Sequence, residues 1–267
     1  MTSTLRVPLP GHAAVEVSLT EKGEGHPFLL LHGGGGPLTV AGFADMLAGQ
    51  RPARVITPTH PGFGGTPRPD SLAGVHDLAA VYIALLAELG LRDVTVIGNS
   101  IGGWIAAEMA LLETNRISSF VLVDGVGIEV PGHPIADFFS LTPRQLAELS
   151  YHDPDRFGID PSKLSPEALQ VMAGNRATIA VYAGTSMHDA GLAERLAGVT
   201  TPTLVVWGDS DRIADVDYGR AFADAIPGAR FQLLRETGHL PQIETPGQLL
   251  DAVWAFAESH ADMRPTS

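Results

Sequence analysis

The run Gly98-Asn99-Ser100-Ile101-Gly102 constrains this chain more than any other stretch. It follows an alternating apolar segment, Asp93-Val94-Thr95-Val96-Ile97, and leads into an apolar-periodic one from Trp104 to Leu112. That order reads as strand, sharp turn, helix. Glycines two positions either side of the serine remove side chains that would collide with the neighbouring strand and helix. The serine then sits in strained backbone that lifts its hydroxyl clear. The bare pattern also fits a glycine-rich loop with an exposed serine, and it is the strand-to-helix setting that makes Ser100 a candidate nucleophile.

A serine is inert unless a base takes its proton, and the base works best when a carboxylate fixes its tautomer. Downstream, Pro202-Thr-Leu-Val-Val-Trp207-Gly208-Asp209-Ser210-Asp211 places carboxylates just past the end of a strand. Leu234-Arg-Glu-Thr-Gly238-His239 places a histidine just past the next. In an open parallel sheet, chemistry collects beyond the carboxyl ends of the strands, so these groups are expected at the edge that holds Ser100.

The rest of the chain predicts such a sheet. Leu5 to Leu9 and Ala14 to Leu19 read as an antiparallel edge pair. Strands follow at Pro27 to Leu31, Ala53 to Thr57, the segment before Ser100, Ser118 to Val123, Thr203 to Trp207 and Arg230 to Leu234. Helical spacing appears at Leu72 to Leu89, Trp104 to Leu112, Asp217 to Ala225 and Gln248 to Ser259. Strands alternating with helices predict an α/β fold, a mostly parallel twisted sheet of about eight strands covered on both faces. From about Val126 to Val199 the rhythm breaks. Helical patterns at Pro143 to Ser150, Pro166 to Ala173 and Ala177 to Ala183, with no convincing strand, predict a helical insertion over 126–199 in a core of 1–125 and 200–267. A short polar tail after Ala261 is expected to fray.

Composition narrows the function classes. With 267 residues, 45% hydrophobic and 18% charged, the chain can bury a sizeable core. A formal net charge of −13 argues against nucleic acid or an anionic membrane as a partner and leaves a small-molecule substrate. The oligomeric state is not legible. The absence of cysteine excludes disulfides, thiolate catalysis and cysteine-ligated metal. Polar residues, prolines and a glycine interrupt Met1 to Val17, and no later run reaches ~18 apolar residues, so a cytoplasmic location is expected.

Five motifs in order, Leu31-His32-Gly33-Gly34, His60-Pro61-Gly62-Phe63-Gly64, Gly98-Asn99-Ser100-Ile101-Gly102-Gly103, Trp207-Gly208-Asp209-Ser210-Asp211-Arg212 and Thr237-Gly238-His239, resemble those of a capped α/β-hydrolase. The resemblance spans essentially the whole chain. It implies a catalytic triad of Ser100, Asp211 and His239, with Asp211 preferred to Asp209, and an oxyanion hole from the N–H groups of Gly34 and Ile101. Some members carry the acid one strand earlier, which here is Asp124. His32 is expected to brace the glycine loop. A phosphate-cradling reading of those glycines fails because no nucleotide-binding fingerprint is met.

The implied chemistry is acyl transfer to water without cofactor or metal, with a carboxylic ester as the default substrate. Gly-Asn-Ser-x-Gly-Gly resembles the elbow of meta-cleavage-product hydrolases, so carbon–carbon hydrolysis of a vinylogous diketone acid is the alternative. A ligand-binding receptor on the same fold is a third possibility. Phe138, Phe139, Phe157, Met172, Tyr182 and Met187 are candidates for an apolar pocket under the insertion, and Arg176 is the candidate anchor for a substrate carboxylate. His60, His133, His152 and His188 are expected to be solvated loop residues, and none has metal-ligand spacing.

Overall fold

A computed structural model describes residues 2–261, and the polar tail after Ala261 lies outside them. β1 (Thr2–Leu9) and β2 (His12–Lys22) lead, then β3 (His26–Leu31), α1 (Leu38–Gln50), β4 (Ala53–Pro58) and α2 (Val75–Glu88). The central unit is β5 (Val94–Asn99), α3 (Ile101–Ala110) and β6 (Ile117–Val123). Between β6 and the next strand come α4 (Pro143–Ser150), α5 (Pro154–Phe157), α6 (Pro166–Tyr182) and α7 (Leu192–Leu196). β7 (Thr203–Gly208), α8 (Val216–Asp224), β8 (Arg230–Leu234), α9 (Pro241–Glu244) and α10 (Pro246–His260) complete the described chain.

Among the described residues, eight strands form one sheet in the order β1-β2-β4-β3-β5-β6-β7-β8. β1, β2 and β4 pair antiparallel, and every later pairing is parallel. The central strands are apolar almost without interruption because both their faces are covered. Side chains alternate between those faces. Leu29, Leu31, Val96, Leu122, Val205 and Trp207 pack with residues of α2, α3 and α8. Phe28, Leu30, Ile97, Val121, Val123 and Val206 pack with α1 and α10. This is the two-residue period of a strand buried on both sides.

α1 lies where no helix is predicted, and two predicted helices differ in extent. α6 is continuous where two shorter helices were predicted, although Gly174 in its interior costs about 1 kcal/mol relative to alanine. Contacts from Asn175, Thr178 and Tyr182 to the loops below hold it together. α2 begins at Val75 rather than Leu72, because the Asp77 carboxylate accepts the N–H groups of Ala73 and Gly74 and fixes the start there.

The register aligns the carboxyl ends of the parallel strands. Leu31 pairs with Gly98, Asn99 with Val123, Val123 with Val206 and Gly208 with Leu234. The loops after β3, β5, β6, β7 and β8 therefore meet at one edge. No described helix is long and apolar enough to cross a membrane.

Candidate active site

Ser100 stands at the turn from β5 into α3 with φ 56° and ψ −120°. A residue with a side chain takes this conformation at a cost of about 1–3 kcal/mol. The surrounding backbone enforces it. The Ser100 N–H donates to the Val123 carbonyl at 3.0 Å, and the Ser100 carbonyl accepts from Gly103, Trp104 and Val126. A Cβ on Gly98 would lie 2.1 Å from the Gly102 carbonyl oxygen, and one on Gly102 2.5 Å from the Leu31 oxygen. The turn closes only with glycine at both positions. The Ile101 N–H, first in α3, has no carbonyl a turn earlier to bond, and Gly34 lines the same cavity as Ser100.

Asp211 and His239 meet beyond β7 and β8. His239 Nδ1 donates to Asp211 Oδ2 at 2.8 Å, which leaves Nε2 for the cavity that His239 lines with Ser100. The other Asp211 oxygen accepts the N–H groups of Ile213 (2.8 Å) and Ala214 (3.3 Å). The histidine loop is held on three sides. Its own N–H donates to the Ser150 carbonyl, Asn99 Nδ2 donates to its carbonyl, and Glu244 accepts the Gly238 N–H.

Asp124, the other acid considered, follows β6 with φ 44° and is fully buried. Its Oδ1 accepts the Gly208 N–H at 2.8 Å, and its Oδ2 has no hydrogen-bond partner. Burial first, then the neighbouring Asp211 charge, pushes its carboxyl well above the usual carboxylate range. His239 Nδ1 bonds Asp211, not Asp124. Asp209 is exposed and accepts from the Ser210 hydroxyl and the Thr237 N–H. Among the described residues, Asp124, Asp211 and His239 are the group close enough to suit a cation, but His239 Nδ1 is already committed to Asp211.

A cavity of about 310 Å³ opens over Ser100 and His239. Its walls are mainly apolar, from Val126, Ile135, Leu146, Ile179, Met187 and Ile213. Phe138, Met172 and Arg176 also line it. Arg176 is the one Arg, Lys, Asp or Glu there. Its guanidinium carbon lies 4.9 Å from the Phe138 ring centre, and Nη2 donates to the Phe139 carbonyl. Three aromatic expectations need correction. Phe139 does not line the cavity: it receives Arg176 and meets the Phe138 ring edge-on. Tyr182 turns its hydroxyl to the Pro61 carbonyl, and Phe157 stacks on Tyr151.

His32 braces the glycine loop through Nδ1 to the Gly33 carbonyl at 2.7 Å, and its Nε2 accepts the His60 N–H. His60 is fully buried, contrary to the expectation of a solvated loop residue. Nε2 donates to the His32 carbonyl, Nδ1 takes the Tyr82 hydroxyl, and its ring lies 3.7 Å from that of His32. Burial lowers both imidazoles, His60 to about 4, so each is neutral at pH 7. His133 and His152 are peripheral, bonded to Asp215 and Ser210, and His188 forms a backbone bridge with Gly127.

Asn175, Gln242 and Glu244 escaped the sequence reading. Asn175 accepts the Gly64 N–H and donates to the Gly35 carbonyl, joining α6 to both glycine loops. Its spacing with Thr178, Ile179 and Tyr182 on one helical face was the available signal. Gln242 donates to Asn99 Oδ1, and Glu244 also accepts the N–H groups of His152 and Asp153.

The profile of the alpha/beta hydrolase family matches residues 28–252. The chain belongs to that family. It is 28% identical over 249 residues to a 2-hydroxymuconate semialdehyde hydrolase of Pseudomonas putida, covering 87% of each chain. It is also 28% identical over 270 residues to a 2-hydroxy-6-oxo-6-(2'-aminophenyl)hexa-2,4-dienoic acid hydrolase of Metapseudomonas resinovorans, covering 93% of this chain and 90% of the other. Among solved structures, a thermophilic esterase from Thermogutta terrifontis superposes with a TM-score of 0.76 at 21% identity, over 98% of this chain and 99% of that one. A meta-cleavage product hydrolase from Pseudomonas fluorescens IP01 gives 0.72 at 21%, over 96% and 97%. At such identities the structural likeness concerns the fold.

Proposed function

We propose that this hydrolase cleaves the carbon–carbon bond beside a ketone in a small diketone acid, with Ser100 as nucleophile, His239 as base and Asp211 as the orienting acid. The observation that carries the reading is Arg176, the one fixed charge among the described residues that line a mainly apolar cavity shared with Ser100 and His239. A substrate carboxylate buried there needs a cation, and a planar guanidinium can bind it through two N–H groups. The names of the relatives at 25–28% identity, several of them dienoate or semialdehyde hydrolases, favour the same substrate class. They move the ester reading to second place.

In this chemistry the Ser100 oxygen adds to the ketone carbon while His239 Nε2 takes its proton, and the N–H groups of Gly34 and Ile101 receive the oxyanion. Collapse breaks the bond between the carbonyl carbon and its neighbour, whose electron pair leaves as an enolate conjugated toward the carboxylate. Proton return from His239 quenches that carbanion. Water, deprotonated by His239, then displaces the acyl group from Ser100 and releases a second acid. The helices between β6 and β7 act here as a cap that supplies the substrate walls.

Simple ester hydrolysis remains the second reading, favoured by the apolar lining and by the commitment of one Arg176 N–H to the Phe139 carbonyl. Competition between a dienoic diketone acid and an aryl ester of similar size decides between them. The proposal expects the diketone acid to be preferred, and Arg176→Ala to remove that activity selectively while ester cleavage persists. Equal loss of both activities, or preference for the ester by the parent enzyme, would refute it.

A further inference from the structure

Asp124 is a fully buried acid that the chemistry above leaves unused. One atom each of Asp124, Asp211 and His239 lies within 4.8 Å of the others. Asp211 is served as an anion: Oδ1 accepts two N–H groups, and Oδ2 accepts one from His239 and keeps a lone pair. Asp124 is not. Its Oδ1 accepts one N–H, and its Oδ2 is enclosed by protein with no donor facing it. The charged and titratable groups that face Asp124 are Asp211, His239 and, farther off, Glu244, with no permanent cation among them. Two ionised carboxylates at this spacing, both out of water, would repel strongly. A hydrogen on Asp124 removes the repulsion and turns an orphaned acceptor into a donor aimed at its neighbour.

We propose that Asp124 is held as a neutral carboxylic acid whose hydroxyl donates to Asp211, a positioning residue that fixes the carboxylate facing His239 and leaves it as the only negative charge of the pair. Burial and the adjacent Asp211 charge both act in the direction that keeps the proton on Asp124. Its positive φ is one that Asn tolerates as well as Asp, so the amide is a fair mimic of the neutral acid. The positioning role rests on the triad reading; the protonation state does not.

The test has two arms on the intact protein. Infrared difference spectra of the parent against Asp124→Asn at pH 7 should show a protonated-carboxyl stretch present in the parent and lost in the variant. Its absence would overturn the proposal whatever the activity. The second arm follows the pH dependence of fluorophosphonate labelling at Ser100. Asp124→Ala removes the donor and leaves the Asp211 charge less hydrogen-bonded beside the histidine, which should move the acid limb of labelling up by about one unit. Asp124→Asn restores a neutral donor and should return the limb to its parent position. Were Asp124 ionised, its replacement by Asn would delete a charge beside His239 and move the limb down by roughly a unit or more, which would overturn the proposal. The band without any labelling of Ser100 would sink the nucleophile while supporting the protonated acid, so the two failures are distinguishable.

Discussion

Ser100 is held where a side-chain-bearing residue resists going, and the strain is met by bonds that its own N–H and carbonyl make to β6, α3 and the loop after Asp124. The same economy governs the acid. Asp211 spends one oxygen on two backbone N–H groups, which fixes the carboxylate, and the other on His239, which fixes the tautomer. Asp211→Asn preserves size but places an amide where an acceptor must be. We expect a loss in turnover of up to ~10⁴-fold with an unchanged melting temperature, measured by steady-state kinetics and thermal unfolding. A nearly active Asp211→Asn beside an inactive Asp124→Asn would instead assign the orienting role to Asp124.

At the scale of elements, the glycine loop after β3 and the loop after β4 are joined by the closely apposed rings of His32 and His60 and covered by α6. The imidazoles also couple this joint to pH. The folded protein holds His60 at about 4 against an ordinary 6.5, so below pH 6.5 the unfolded chain takes the proton first. This contribution is fully present above about pH 6.5 and is lost as pH falls toward 4, to the extent of about 3 kcal/mol. Urea unfolding at pH 7 and at 4.5 should show a fall of that order, with the His60 resonance in NMR still untitrated at pH 5. Titration of His60 near 6.5 would contradict the account.

His60 also marks a limit of sequence reading. Its turn-rich motif looked solvated, and its burial depends on Tyr82 from α2 and on His32 after β3, contacts remote in sequence. β5, the elbow and the ends of β7 and β8 were legible because short-range rules write them: apolar runs, glycines and a reactive side chain just past a strand. α1 went unread although Val40, Phe43, Ala44 and Leu47 lie at helical spacing, since the glycine cluster before it and Gly42 and Gly49 within it mask the pattern. The cavity walls were legible only as a group. Phe138 lines the cavity and its neighbour Phe139 does not, a choice made by Arg176 and α6 rather than by periodicity.

Across the whole molecule, a sheet buried on both faces delivers its loops to one edge, and the helices between β6 and β7 enclose that edge over a cavity of about 310 Å³. Glu244 ties the histidine loop to residues 152–153 of that segment, while Asn175 ties α6 to both glycine loops. Cavity, glycine loop and histidine are thus one connected assembly, and the proposed function turns on a covalent intermediate forming on a single serine. Fluorophosphonate labelling followed by peptide mass spectrometry measures this directly. The account predicts one adduct per chain, on Ser100, abolished in Ser100→Ala and slowed in Asp211→Asn; an adduct on any other residue, or one that survives Ser100→Ala, would contradict it.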